Sequence, residues 1–280
     1  MSHQQISKGN NFLTCENYIS LNGLDQLDNY LEIANKLKIS VIVLDDTSIK
    51  ERKSLLESDV SKKFTFISPT SVYDLFKSEE GDSEKVNKKI RNFLNTDQEL
   101  KFILTTRKTI CGDSIDKIKK QLSSIRNQYD IISLFSKNKN TLKWAAQDGR
   151  LDYITVEILD NSEYIDQSLC SVVKQNNKRF EIVLSSLINA PDDRAISEVL
   201  RKGKKLMKII NSANTPFIFT MKAKSPLELR SGSQMRLLGS LLDCSYNKTK
   251  NSVFEKQLEV IFNNAAKLHE SYIVKGIREG

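Results

Sequence analysis

The side chains that most often perform acid–base and nucleophilic chemistry are scarce in this sequence. Only two histidines occur, His3 near the start of the chain and His269 in its last predicted helix. Neither follows a predicted strand, so no Ser-His-Asp arrangement can be assembled, and no Cys/His cluster has zinc spacing. Glycine-rich phosphate loops of the GxGxxG or Walker type are absent as well. We therefore predict no catalytic residue and no metal ligand in this chain.

Positive charge follows the last predicted strand, residues 216–221. Lys222 and Lys224 come next, and residues 225–228 (Ser-Pro-Leu-Glu) have the pattern of a helix capping box. Residues 231–234 (Ser-Gly-Ser-Gln) repeat that pattern. Because free amides at a helix start attract anions, the sequence predicts a phosphate site formed by these amides and the two lysines. The alternative is that both lysines are simply solvated.

Carboxylates near other predicted strand ends offer a different chemistry. Paired carboxylates can hold Mg²⁺, so the alternative function is a stand-alone metal-dependent phosphoesterase or nuclease of barrel fold. A third possibility is a barrel enzyme that uses Lys222 or Lys224 to form a Schiff base. The low histidine count argues against the nuclease, and two adjacent cations suit phosphate better than a Schiff base. The carboxylates concerned are Asp45, Asp46, Glu157 and Asp160.

Strands and helices alternate along the chain, and this alternation must position the residues named above. Residues 39–46 form a continuous apolar run, as expected of a strand buried on both faces. Eight such repeats between residues 16 and 245 predict a TIM-like (β/α)8 barrel, with an open doubly wound sheet as the alternative. The predicted strands lie at residues 16–22, 39–46, 64–68, 101–108, 130–136, 152–158, 179–185 and 216–221.

The absence of a proline- or glycine-rich linker indicates one main domain. We predict a flexible N-terminus over residues 1–15, the barrel over residues 16–245, and a C-terminal helical extension within residues 246–280. The last helix is predicted at residues 253–277. The polar stretch FKSEEGDSEK, residues 76–85, is predicted to be a mobile loop.

Charge is segregated along the 280 residues. The chain carries a net charge of +8, with +7 in residues 101–150 and +9 in residues 201–250, whereas residues 151–200 carry −5. Such segregation indicates a polyanionic partner. There is no apolar run long enough to span a membrane and no secretory signal, and the four cysteines are far apart. We therefore expect a reduced, cytoplasmic protein that does not contact membranes.

The loops that follow the strands of a barrel form its functional face, and several basic residues lie there. Arg107 and Lys108 follow the fourth predicted strand, and Arg194 follows the seventh. The residues predicted to bind phosphate or RNA are Lys222, Lys224, Arg107, Lys108, Arg150, Arg194 and Arg230.

Four segments resemble a known family. They are AKSPLELRSGSQMRLLGSLL (223–242), the strand and long basic helix at 179–220, AAQDGRLDYITVEI (145–158) and YDIISLFSKNKNTLKWA (129–145). Together they resemble protein component 3 of archaeal and eukaryotic ribonuclease P, the 30-kDa-type subunit, over roughly residues 17–245. The match is imperfect, because Met221 and Lys222 replace a usually small pair, and Gly232 stands where proline is common.

The resemblance implies a histidine-poor barrel, related to polymerase-and-histidinol-phosphatase barrels, that has lost catalysis. It implies a protein subunit of ribonuclease P, the ribonucleoprotein that removes 5′ leaders from precursor tRNA, with the active site on the RNA subunit. The implied partners are ribonuclease P RNA, a smaller subunit of ferredoxin-like fold and other ribonuclease P proteins, with precursor tRNA contacted indirectly. The chain itself would bind no cofactor, and Mg²⁺ is expected at the active site of the RNA.

Overall fold

Eight parallel strands form the central sheet of the protein. The computed structural model describes residues 14–20, 26–57, 64–79, 82–94, 101–269, 272–274 and 277–278. The strands are short and rich in β-branched and aromatic residues, which suit a pleated, doubly buried surface. They are β1 (Thr14–Ile19), β2 (Ile39–Asp45), β3 (Thr65–Ile67), β4 (Lys101–Cys111), β5 (Ile131–Phe135), β6 (Tyr153–Glu157), β7 (Arg179–Val183) and β8 (Phe217–Thr220).

Seven of these strands form a ring in the order β1-β2-β4-β5-β6-β7-β8. The two ends of this path meet at a parallel bridge between Ile19 and Ala223. The Ala223 amide donates to the Tyr18 carbonyl at 2.9 Å, and the Ser20 amide donates to the Ala223 carbonyl at 3.0 Å. The result is a nearly closed TIM-like barrel. The predicted fold class is confirmed, and the open-sheet alternative is wrong.

The eighth strand, β3, lies outside this ring. Ile103 of β4 pairs with Val41 of β2 and also with Ile67 of β3, so β2 and β3 lie on opposite edges of β4. Further along, from Arg107 onward, β5 occupies the edge on which β3 began. The 11 residues of β4 are long enough to pair with both. The central sheet therefore has the eight strands that were predicted, but the barrel is distorted at β3.

Helices surround the ring, and polar residues fix where several of them begin. Ser48 and Glu51 form a reciprocal capping box at the start of α2. At the start of α8, the Asp192 side chain accepts from the Ala195 amide at 2.7 Å. The helices are α1 (Leu27–Leu37), α2 (Ile49–Leu56), α3 (Pro69–Phe76), α4 (Ser83–Leu94), α5 (Ile115–Ile125), α6 (Lys139–Gln147), α7 (Gln167–Gln175), α8 (Asp193–Ser212), α9 (Gly232–Leu241), α10 (Tyr246–Ser252) and α11 (Glu255–Leu268).

Helix α8 shows how the outer helices pack on the ring. Val199, Leu206 and Ile210 recur at helical spacing and are buried against the strands. Gly203 permits close approach to the residue that follows α9, because a Cβ atom there would lie 2.6 Å from Cδ2 of Leu242. The opposite face of α8 is exposed and carries charged residues.

The C-terminal helix α11 covers the amino-terminal end of the barrel. Its buried residues, Leu258 and Phe262 among them, share a core cluster with Tyr73 of α3. The Asn264 side-chain amide donates to the Asp130 carbonyl at 2.9 Å, directly before β5. The Gln257 side-chain amide donates to the Phe219 carbonyl of β8, also at 2.9 Å. The C-terminal helix is thus integrated into the core of the barrel.

Several predicted boundaries differ from the structure. The predicted helix over 253–277 ends at Leu268, because the strand-favouring Tyr-Ile-Val that follows pairs instead, as β9 (Tyr272–Val274) with β10 (Ile277–Arg278). Sequence patterning also missed α3, which Ser68 caps and Pro69 begins.

Two regions predicted to be flexible lie partly outside the described residues. The predicted flexible N-terminus, residues 1–15, lies outside them up to residue 13, and Thr14 already belongs to β1. Of the predicted mobile loop over 76–85, residues 80 and 81 lie outside the described part. The remaining residues belong mainly to the end of α3, a 3-10 turn at Lys77–Glu79 and the start of α4. No helix among the described residues has the length and apolar character needed to cross a membrane.

Candidate functional site

The interior of the barrel contains an ion pair between Arg107 of β4 and Glu181 of β7. Two hydrogen bonds join the groups, from Nη1 to Oε1 at 2.5 Å and from Nη2 to Oε2 at 2.8 Å. Both side chains are 0% exposed. Burial alone would lower the pKa of Arg107, but the neighbouring Glu181 carboxylate raises it above its ordinary value, so the guanidinium stays charged.

Other side chains complete the surroundings of this pair. Arg107 Nη2 donates to the Ser133 hydroxyl at 2.5 Å and to the Thr109 hydroxyl at 3.0 Å. The guanidinium carbon lies 4.1 Å from the centroid of the Tyr18 ring. On the other side, the Thr155 hydroxyl donates to Glu181 at 2.8 Å. Because side chains alternate along a strand, polar residues at every second position meet inside the ring.

Arg107 was predicted to bind phosphate, and its position corrects that prediction. The side chain points into the barrel and not outward from the loop, and Glu181 already holds both of its terminal nitrogens. A phosphate would have to displace a buried carboxylate to reach it, leaving that charge uncompensated. Arg107 therefore belongs to the interior of the barrel and not to an exposed surface that RNA phosphates could reach.

A second buried carboxylate, Glu16 of β1, lies at the seam where the ring closes. It accepts from the Thr220 hydroxyl at 2.5 Å, from the Met221 amide at 3.1 Å and from the Tyr18 amide at 3.2 Å. These bonds tie β1 to the end of β8. Burial raises the pKa of Glu16 from its ordinary value of 4.5 to about 7, although the hydrogen bonds oppose the rise.

The lysines at the carboxyl end of the ring are paired with acids. Lys222 Nζ lies 2.6 Å from Oε1 of Glu157, and Lys137 Nζ lies 2.9 Å from Oδ1 of Asp160. Lys108 forms an ion pair with Asp46. These contacts neutralise much of the positive charge that the sequence places there.

The turn after β8 does not have the helix start that was predicted. Residues Pro226–Glu228 form one 3-10 turn, and the Ser225 side chain caps no amide. The Glu228 carboxylate instead accepts from the Lys224 amide at 2.7 Å. The Ala223 amide is also used, by the Tyr18 carbonyl. The amides of Ala223 and Lys224 are therefore not free, because the chain supplies an acceptor for each of them.

The second predicted capping box is confirmed at the start of α9. Ser231 accepts from the Gln234 amide, and Gln234 accepts from the Ser231 amide at 2.8 Å. The Lys224 side chain is exposed beside this turn. That Lys222 and Lys224 contact phosphate through their side chains stays a prediction.

The remaining predicted RNA ligands, three arginines, lie in three different segments of the chain. Arg150 precedes β6, at the opposite end of the barrel, and pairs with Asp148 at 2.7 Å. Arg230 donates to the carbonyls of Leu227 and Leu229, and these hydrogen bonds stabilise the turn after β8. Arg194 is exposed in the first turn of α8. Of these three arginines, Arg150 lies at the opposite end of the barrel from Lys222, and Arg230 lies in the same loop as Lys222. That they bind RNA stays a prediction.

The four carboxylates considered for a metal are each held by a cation. Asp46, Glu157 and Asp160 pair with the lysines described above. Asp45 accepts from Thr109 at 3.0 Å and lies 3.6 Å from Arg107 Nε. Within the described residues, no group of three or more His, Cys, Asp or Glu side chains is placed to hold a metal ion.

The surroundings of Lys222 do not suit a lysine that forms a Schiff base. Burial alone would lower the pKa of Lys222, but the bond to Glu157 and the nearby Tyr18 raise it above its ordinary value. A Schiff-base lysine needs the opposite shift.

Comparison with protein families matches residues 18–269 to the model described as RNase P subunit p30. The chain belongs to the RNase P subunit p30 family. This p30 chain is accordingly a protein subunit of ribonuclease P, the tRNA-processing ribonuclease, and the predicted family is confirmed. Comparison with curated proteins finds no match.

Solved structures resemble the p30 chain in fold. A chain of an archaeal ribonuclease P, determined by cryo-electron microscopy with mature tRNA, has a TM-score of 0.58 and 13% identity over 90% of this chain and 88% of that one. A prolidase complexed with N-methylphosphonate-L-proline has a TM-score of 0.51 and 10% identity, covering 95% and 77%. An A. niger ochratoxinase has a TM-score of 0.50 and 9% identity, covering 89% and 71%. These matches support the barrel fold alone.

Sequence patterning missed the two carboxylates that matter most inside the p30 barrel. Glu181 lies within the strand sequence RFEIV and Glu16 within TCENYI, each among residues that are otherwise mostly apolar. A charged residue in such a strand must be paired or neutralised, because burying a lone charge costs several kcal/mol. That signal was present in the sequence, but it does not identify the partner.

Proposed function

We propose that this p30 chain supports the catalytic RNA of ribonuclease P during removal of the 5′ leader from precursor tRNA, and supplies no catalytic group itself. The observation that carries the proposal is the internal pairing of its charged groups, of which Arg107 with Glu181 is the most buried. A nuclease site would need carboxylates free to hold Mg²⁺ or to activate water. Here the candidate carboxylates each face a lysine or arginine.

The chain would bind RNA through lysine and arginine contacts to phosphate. Such contacts position a nucleic acid without reading its sequence, and they account for strong salt dependence. The net charge of +8 supports this mode of binding. Mg²⁺ would then belong to the active site of the RNA, and the chain would bind no cofactor.

The partners would be ribonuclease P RNA, a smaller subunit of ferredoxin-like fold and other ribonuclease P proteins, in a cytoplasmic assembly. Precursor tRNA would be contacted through that assembly. Support comes from the family match and from the similarity to a chain of the archaeal ribonuclease P determined with mature tRNA.

Single-turnover cleavage of precursor tRNA tests the proposal. The purified full-length chain, treated with nuclease to remove contaminating RNA, should cleave nothing in Mg²⁺. Addition of ribonuclease P RNA and its other proteins should give cleavage at the 5′ leader. Activity of the treated chain alone would contradict the proposal. If Asp45→Asn and Glu157→Gln then abolished that activity, the nuclease alternative would replace it.

A further inference from the structure

The outer face of α8 carries a row of exposed cations. Arg194, Arg201, Lys205 and Lys208 are all exposed. Their spacing of seven, four and three residues places them within an arc of about 60° on a helix that turns 100° per residue. We call these four residues the α8 basic stripe. It lies opposite the buried face of the helix, which includes Val199 and Ile210.

Acidic side chains neutralise the lysines at the carboxyl end of the ring, but they do not neutralise the cations of the α8 basic stripe. Within the part of the chain that the structure describes, none of its four cations forms an ion pair. Two acids near the stripe pair with lysines outside it: Glu198 with Lys202 at 3.3 Å and Asp243 with Lys204 at 3.0 Å.

The stripe spans a length that suits a nucleic acid backbone. From Arg194 to Lys208 the helix rises by about 21 Å, at 1.5 Å per residue. Lys248 extends the positive surface at the far end, where its Nζ lies 3.0 Å from Oδ1 of Asn211. A surface of this length can contact several successive phosphates of one strand.

We propose that the α8 basic stripe binds the sugar–phosphate backbone of structured RNA. This inference rests on the proposed function and assigns a surface to it. An acidic protein is the competing partner, but protein interfaces usually have an apolar centre. Between Arg194 and Lys208 the other exposed residues are Ile196, Ser197, Glu198 and Lys204. Ile196 is the one apolar side chain among them, and at 100° per residue it lies about 160° around the helix from Arg194, outside the arc of the stripe. Lysine, arginine and serine are the side chains that commonly contact phosphate.

A charge-matched pair of variants tests the stripe. The stripe variant is Arg201→Gln, Lys205→Gln and Lys208→Gln. The control variant is Lys88→Gln on α4 with Lys117→Gln and Lys120→Gln on α5, which removes the same charge from exposed positions on other outer helices. All six side chains are exposed, so both variants should melt at the temperature of the unmodified chain, as checked by circular dichroism.

The measurement is equilibrium binding of the full-length chain to ribonuclease P RNA and to an RNA duplex of unrelated sequence, across a range of salt concentrations. The stripe variant should lose at least about tenfold in affinity for both RNAs near physiological salt. The slope of log affinity against log salt should become shallower by about 2 to 3 units, one for each lost phosphate contact. The control variant should keep the original slope.

Each contrary result has a distinct meaning. Equal losses in both variants would overturn the inference, because the charge would then act diffusely, while the proposed function would stand. Failure of the unmodified chain to bind ribonuclease P RNA would overturn the proposed function itself. If the stripe variant kept its RNA slope but no longer co-assembled with the other ribonuclease P proteins, the stripe would be a protein-docking surface and the inference would be wrong.

Discussion

Glu181 holds Arg107 across the inside of the barrel, and the two residues come from strands that are not neighbours in the sheet. An arginine that forms a bidentate pair with a buried carboxylate has few N–H donors left for a ligand. The pair therefore belongs to the architecture of the ring and not to an RNA-binding face. Single and double variants of Arg107 and Glu181 can measure how much the pair contributes to the stability of the fold.

Replacing Arg107 alone should destabilise the barrel strongly. Arg107→Met leaves the Glu181 carboxylate buried without its partner, which costs about 3–5 kcal/mol in the free energy of unfolding. The double variant Arg107→Met with Glu181→Leu should recover most of that loss, because apolar residues of similar volume replace both charges. Urea denaturation of the three chains measures this. A double variant as unstable as the single one would show that the pair itself is required.

Glu16 should make stability depend on pH. Its pKa is about 7 in the folded chain, against an ordinary value of 4.5, so between these values the folded state holds a proton that the unfolded state has released. Stability should therefore fall as pH rises from about 4.5 to about 7. Glu16→Gln mimics the protonated form and should flatten this part of the profile. Chemical denaturation at a series of pH values measures it, and an unchanged profile would contradict the assignment.

Gly239 on α9 should be less tolerant of a side chain than Gly203 on α8. A Cβ atom at Gly239 would lie 2.8 Å from the Phe219 ring and 2.6 Å from Cγ2 of Thr249. At Gly203 the close contact is the flexible end of Leu242. Alanine gains up to about 1 kcal/mol of helix propensity at either site, but overpacking costs about 1–3 kcal/mol. Gly239→Ala should therefore lower the melting temperature, and Gly203→Ala should change it less.

The order of the strands could be predicted from sequence because each strand has its own local pattern, whereas some helices, α3 among them, were missed. The apolar run at β2 and the helical spacing in α8 are examples, and both elements appear where expected. The position of β3 could not be predicted in this way. Its placement depends on β4 being long enough to pair with β3 and then β5, which is a tertiary property.

The candidate site was harder to predict, because sequence shows which charges exist but not which of them pair. Lys222 and Glu157 are 65 residues apart in the chain and yet form an ion pair. The exposed cations of α8 were predictable in principle, since helical spacing alone places them on one face.

The last prediction concerns the loop after β8. It compares how RNA binding changes when Lys222 and Lys224 are removed with how it changes when the charge of Glu228 is removed. Lys222→Ala with Lys224→Ala should weaken RNA binding by roughly 1–3 kcal/mol, the range for hydrogen bonds to charged groups. The first change also leaves Glu157 without its lysine, which adds repulsion of phosphate. Glu228→Gln should act in the opposite direction. It keeps an oxygen that can accept from the Lys224 amide but removes the negative charge that occupies this position.

The control is Lys88→Ala with Lys89→Ala on α4, on the outside of the barrel, which should cost much less. RNA affinity of the full-length chains at fixed salt is the measurement, with thermal melting to confirm that each variant folds. If both lysine pairs weakened binding equally and Glu228→Gln had no effect, charge would act diffusely. The loop after β8 would then have no specific role in RNA binding.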